Sequence, residues 1–155
     1  MKFWLTTQWP PTKDLPSLGH REHIWLKVGK EQVGSDLKAG DLVFIYECKT
    51  GKPRKDKVAY WTGRQGIVTF AVILDVNLGA GFAKSHEKFR DGSEIVWKLV
   101  ARTRTINNSY FCSRDKVCDC LKYSKKYLFR GFGEDRSGLK KLTEAQSGCL
   151  LLHFV

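Results

Sequence analysis

The run GIVTFAVILDV, Gly66–Val76, decides how this chain is read. It is dense in β-branched and aromatic residues, which suit a pleated, half-buried strand. Strict alternation puts Val68, Phe70, Val72, Leu74 and Val76 on one face, the expected core face. Upstream, Asp41–Glu47 of GDLVFIYE is a second run of the same kind, again opening at a glycine. Further out, Lys2–Thr7, His23–Val28 and Ser93–Arg104 read as strands, with Tyr127–Phe132 as a short sixth. Trp9-Pro10-Pro11 ends the first, because proline cannot continue a ladder. Along the first strand, Phe3 and Leu5 face one way and Trp4 and Thr6 the other. Along Ser93–Arg104, Ile95, Trp97 and Leu99 oppose Lys98, Val100, Arg102 and Arg104.

The rest of the chain connects these runs. Leu78–Gly92 reads as a glycine-bearing loop, and Ser35–Ala39 as one helical turn stopped by Gly40. Ser113 is placed to cap a short helix carrying Val117, Cys120 and Leu121. Thr143 and Gln146 have capping-box spacing before an apolar helix that runs to Val155. Long helices do not alternate with the strands, which excludes a Rossmann-type sheet. The expected fold is α+β: a small, mixed, mostly antiparallel sheet of five to six strands, curled or closed into a barrel, with a few short helices. Residues 1–155 read as a single domain, of a kind also found as the N-terminal module of a longer protein.

Charge narrows the function. The 155 residues carry a net charge of +11, with ordinary hydrophobic (42%) and charged (28%) content for a globular domain. Lys49–Arg64 holds six cations against the single acid Asp56. Lys98–Lys141 holds twelve against Asp115, Asp119, Glu134 and Asp135. Together these segments carry more than the whole net charge, so the rest of the chain is slightly acidic. Clustered Lys and Arg release counterions when they meet phosphates, which points to a nucleic-acid partner. Lys52, Arg54, Lys55, Lys57, Arg64, Arg102, Arg104 and Arg130 are the candidate backbone ligands, with Lys140 and Lys141 behind them. No membrane partner is expected, since no apolar stretch approaches bilayer length and no secretory signal opens the chain.

Five tryptophans are many for this length. Trp97 alternates with Ile95 and Leu99 and reads as core. Trp9 sits at a strand end, Trp25 lies beside His20, Arg21 and His23, and Trp61 follows Tyr60 in the basic segment. Aromatics at the rim of a positive sheet suit base stacking. Extruding a base costs a few kcal/mol, and stacking returns about 1–3 kcal/mol per base. A sandwich of two rings therefore roughly offsets extrusion, leaving net affinity to phosphate contacts that salt weakens.

Catalytic signatures are missing. There is no GxSxG, HExxH, phosphate-binding P-loop or dinucleotide fingerprint, and the carboxylates are scattered singly. Cys112, Cys118 and Cys120 form C-x5-C-x-C, which is not a recognised zinc spacing. The five cysteines read as thiols in a reducing cytoplasm rather than as a disulfide framework. No cofactor, metal or catalytic residue is expected. A small nuclease or a cysteine-dependent hydrolase remains the enzymatic alternative.

The pieces also match a family. Phe3-Trp4-Leu5, the segment from Leu37 to Tyr46, the strand from Gly66, the strand around Trp97, and Phe129-Arg130-Gly131 with Leu142–Gln146 stand in the order found in EVE domains. The chain resembles that family, part of the PUA-like superfamily that includes YTH domains. The resemblance implies a PUA-like fold and a domain that binds DNA or RNA. It further implies recognition of a modified, methylated base, flipped from DNA into an aromatic cage. Some such domains are the specificity modules of modification-dependent restriction systems, with a separate motor or nuclease domain. In the YTH pattern a Trp on the second strand forms one cage wall, which implies Trp25 here. Trp9, Trp61 and Phe82 are the further base-binding candidates from loop placement. A plain RNA-binding PUA-like domain is the alternative.

Overall fold

A computed structural model describes residues 1–8, 23–27, 36–47, 63–88, 94–107, 111–123 and 139–154. One strand in from an edge of its sheet lies β1, Phe3–Gln8, parallel to β3, Leu42–Glu47, and antiparallel to the edge strand β7, Leu139–Lys141. Beyond β3 come β4, Gly66–Lys88, then β5, Glu94–Asn107, then β2, His23–Lys27, all antiparallel to their neighbours. The order is β2-β5-β4-β3-β1-β7, and a two-residue β6, Cys112–Ser113, pairs with the start of β4. The α+β, mostly antiparallel expectation holds. The barrel does not: among the described residues the sheet is open. Closure requires the edge strands to meet in register, and β7 offers three residues at the full width of the sheet from β2.

Two short helices lie on one face, α1, Arg114–Leu121, and α2, Glu144–Leu151. Both caps follow the sequence. The Ser113 hydroxyl accepts from the Lys116 N–H. At α2 the Thr143 hydroxyl accepts from the Gln146 N–H (3.1 Å), and the Gln146 side chain accepts from the Thr143 N–H (3.0 Å). The α-helix stops at Leu151 and tightens into a 3-10 turn, Leu152–Phe154, short of the expected Val155.

Under these helices, Leu5, Phe44, Tyr46, Ile67 and Phe70 pack against Val117, Cys118, Leu121 and Leu150. The opposite face buries Trp4, Leu37, Val43, Ala71, Ile73, Ala101 and Leu139. Both sides of β1, β3 and the start of β4 are therefore covered. That explains why Val43–Glu47 and Gly66–Ala71 are buried without a break. A strand covered on both faces has no polar side to alternate with.

Three expectations need correcting. Phe70 belongs to the helix-side core, whereas Val76 packs on the opposite core, so the five alternate residues of β4 do not share a face. The register shift at Ile73/Asp75 inserts Leu74 into β4 and reverses its alternation, whereas the shift at Phe70/Ala71 places the extra residue, Ile106, on β5. The supposed loop from Leu78 continues as strand to Lys88, paired with β5 through further register shifts. Glycines in this stretch accompany irregular pairing rather than end the strand. Finally, Asp36–Gly40 is a turn and not a helical turn. Gly40 at φ +88° supplies the left-handed residue, and the Asp41 N–H closes the turn on the Lys38 carbonyl (3.1 Å).

Cys120 of α1 and Cys149 of α2 form a disulfide, against the expectation that every cysteine is a free thiol. Helix packing brings their Cα atoms to 5.5 Å, a proximity that chain spacing does not reveal. Cys112 and Cys118 are buried thiols outside that disulfide. Burial pushes the Cys118 thiol up, more strongly than nearby Arg114 pulls it down, which leaves it poorly suited to nucleophilic attack at neutral pH. No helix among the described residues is long and apolar enough to cross a membrane.

Candidate nucleic-acid interface

The surface is built outward from β4 and β5. Residues 101–106 of β5 alternate strictly. Ala101 and Thr103 are buried, while Arg102, Arg104 and Ile106 are exposed. Register sets Arg104 opposite Val72 and Arg102 opposite Asp75 on β4. Both arginines thus share one face, as the strand alternation predicts. Arg102 donates to Asp75 Oδ2 through Nε (2.9 Å) and reaches the same oxygen with its terminal nitrogen (2.7 Å). Both side chains are about half exposed, and such a pair holds the guanidinium by about 1 kcal/mol or less. A phosphate can therefore compete for it.

At the start of β4 the basic segment returns to the sheet through Arg64. Its backbone N–H donates to Glu47 Oε1 (2.9 Å), and its Nε lies 3.9 Å from that oxygen. Glu47 is buried at the end of β3, so its carboxylate anchors the Arg64 backbone and attracts the half-exposed guanidinium without hydrogen-bonding it. The guanidinium then lies over the ring of Phe111, 5.5 Å from its centroid. Phe111 is 44% exposed, uncommon for phenylalanine inside a domain. Gly66 makes this arrangement possible. A Cβ there would stand 2.3 Å from the Cys112 carbonyl oxygen and 2.7 Å from the Phe111 ring. An arginine over an exposed aromatic ring combines a charge for phosphate with a flat face for a base.

Phe111 was missed in the sequence because it stands in the polar stretch NNSYFCSR without strand or helix periodicity. The candidate walls Trp25 and Phe82 are placed by backbone register alone. Trp25 pairs with Val100 and Phe82 with Trp97, on the two sides of β5 and three positions apart along it. Arg64 precedes the start of β4, whereas Phe82 lies in its last third. Trp9, Trp61, Lys52, Arg54, Lys55, Lys57 and Arg130 lie outside the described residues. The two lysines of β7 are already engaged. Lys140 donates to the Tyr123 hydroxyl, and Lys141 pairs with Asp36 (3.5 Å). Burial lowers the Lys140 ammonium below its ordinary value.

The turn before β3 is held by a carboxylate. Asp41 Oδ1 accepts from the Lys2 N–H (2.9 Å), and Oδ2 from the Trp4 indole (3.0 Å) and the Lys38 N–H (3.1 Å). Trp4 is accordingly core, with its one polar atom satisfied.

No family model matches the chain, and no curated protein does. Solved structures do match. The ASCH protein of Zymomonas mobilis, solved as a point mutant, aligns over 97% of this chain and 95% of its own at 12% identity, with a TM-score of 0.51. Human THYN1 in complex with 5-methylcytosine-containing DNA aligns over 99% and 98% at 14% identity, TM-score 0.48. A Pseudomonas putida protein aligns over 99% of both chains at 16% identity, TM-score 0.47. The chain shares the fold of the ASCH protein, an α+β fold with a mixed sheet.

Proposed function

We propose that the chain is a nucleic-acid-binding module whose described contact surface is the Arg64–Phe111 platform with Arg102 and Arg104 of β5. The observation that carries this reading is the exposed Phe111 ring under the Arg64 guanidinium, on a chain with net charge +11. Phosphates meet the arginines, and a base stacks on the ring. The finer reading is recognition of a methylated base, flipped from duplex DNA and held between aromatic residues. Trp25 and Phe82, on the strands that flank β5, are the first candidates for its walls. Trp9 and Trp61 are further candidates, and Lys52, Arg54, Lys55, Lys57 and Arg130 would track the backbone. In a modification-dependent restriction system such a module supplies specificity, while a partner motor or nuclease domain cuts.

Titration of duplex oligonucleotides with and without methylated cytosine or adenine, beside matched RNA, tests both levels. Binding should fall steeply with salt and be tightest for a methylated duplex. Phe111→Ala should weaken it by about 1–3 kcal/mol, the value of one stacked base. Equal affinity for all duplexes removes the reader claim and leaves a general binder. Preference for RNA selects the RNA-binding alternative. Absence of binding to every polyanion sinks the proposal.

A further inference from the structure

Three ligand-type side chains meet where the two helices pack together. Cys120 of α1, Cys149 of α2 and His153 of the 3-10 turn bring two sulfurs and an imidazole nitrogen within 4.8 Å of one another. Cys149 and His153 are four residues apart, one helical turn, and the facing helix delivers Cys120. Cys120 is buried, while Cys149 and His153 are half-buried, so the cluster has an inner wall and an open approach. His153 Nε2 lies 3.9 Å from Cys120 Sγ. In a tetrahedral zinc site, with metal–ligand lengths of about 2.3 Å to sulfur and 2.0–2.1 Å to nitrogen, a sulfur and a nitrogen stand about 3.6 Å apart. The cysteine–histidine pair already has nearly that spacing. The two sulfurs are bonded to each other, however, and a disulfide offers no thiolate.

We propose that Cys120, Cys149 and His153 form a redox-gated site for a thiophilic divalent cation of the zinc class. The site is shut while the disulfide stands and opened by its reduction. A dithiol reductant attacks one sulfur and forms a mixed disulfide. Its second thiol then displaces the remaining cysteine. Two electrons pass to the protein, which gains two thiols, and the reductant leaves as its own disulfide. The cation binds the two cysteines as thiolates, releasing two protons to solvent, and takes neutral His153 as third ligand. Two thiolates neutralise the charge of the cation, which suits a half-buried position. A water completes the fourth position, the open arrangement of three protein ligands.

The test uses the full chain reduced with dithiothreitol, which is then removed without oxygen, and cobalt(II) as the probe. The expected result is one cobalt per reduced chain, with thiolate-to-cobalt charge-transfer absorption, displaced by zinc. The oxidised chain should take none, Cys149→Ser should lose that absorption, and His153→Ala should weaken binding by about tenfold or more. Failure of the reduced chain to bind cobalt overturns the site. Undiminished absorption in Cys149→Ser overturns it too, since the metal would then sit on other cysteines. Equal binding by the oxidised chain overturns the gating. Circular dichroism of each variant separates lost ligands from a lost fold. His153→Ala keeps both cysteines and so decides the matter if the serine variant unfolds.

Discussion

On one face of the sheet, Phe44, Tyr46 and Phe70 pack beneath two short helices tied by a disulfide. On the other, Trp4 packs with Leu37 and Val43 while its indole N–H rests on the Asp41 carboxylate. The first face relies on apolar contact, which is non-directional, and on a covalent tie between elements far apart in the chain. The second relies on direction: one carboxylate answers three donors, two of them from backbone that no side-chain substitution can remove. The helix side should therefore respond to lost volume, and the turn side to a lost acceptor.

The largest expected effect is on the helix side. Phe44 is fully buried, with its ring 5.0 Å from that of Phe70. Phe44→Ala should cost about 3–5 kcal/mol in urea unfolding. A cost below about 1 kcal/mol would mean that this face is not the main core. Reduction of the Cys120–Cys149 tie, which spans 29 residues, comes next, at roughly 3.5 kcal/mol from chain entropy. Unfolding with and without reductant measures it, and amide exchange should rise in α1 and α2 while the Trp4 side stays protected.

Asp41→Asn should cost about 2 kcal/mol, because charge-assisted hydrogen bonds become neutral and one acceptor becomes a donor. Burial alone would raise this carboxyl. The bonds from Trp4, Lys2 and Lys38, helped by the N-terminal ammonium, outweigh burial and hold it below its ordinary value. A lowered carboxyl stabilises the fold above the ordinary carboxylate range and loses that contribution as pH falls through its folded value. The stability gap between wild type and Asp41→Asn should accordingly close below about pH 4. A gap independent of pH would show that the charge plays no part. Gly66→Ala should cost about 1–3 kcal/mol, toward the upper end, because the atom its methyl meets at 2.3 Å is a backbone carbonyl oxygen that cannot swing aside. The new methyl would also press on the Phe111 ring, so oligonucleotide binding should weaken together with stability.

Most strands were legible in the sequence because β-branched and aromatic runs carry their own signal. So were both helix starts, since Ser113 and the Thr143–Gln146 pair act locally. What escaped depends on the partner strand or on the fold. The bulge at Leu74 that turns Phe70 and Val76 toward different cores arises from pairing with β5, not from the composition of β4. The glycines after Leu78 look like a loop until β5 is laid beside them. Cys120 and Cys149 become neighbours only when the helices pack. On the proposed interface, the shared exposed face of Arg102 and Arg104 followed from alternation, whereas Phe111 required knowledge that Gly66 leaves room for its ring.

The position of β1 has a bearing on how the chain reaches this state. Trp4 pairs with Val43 on one flank and with Lys141 on the other. The first partner leaves the ribosome early and the second only after nearly all the intervening sequence. During synthesis one edge of the first strand must wait unpaired, the kind of exposed edge on which chains stick to one another. Ordering should therefore be dominated by contacts distant in the chain and slow for a domain of this size, with β7 as the late-arriving strand that seals the edge.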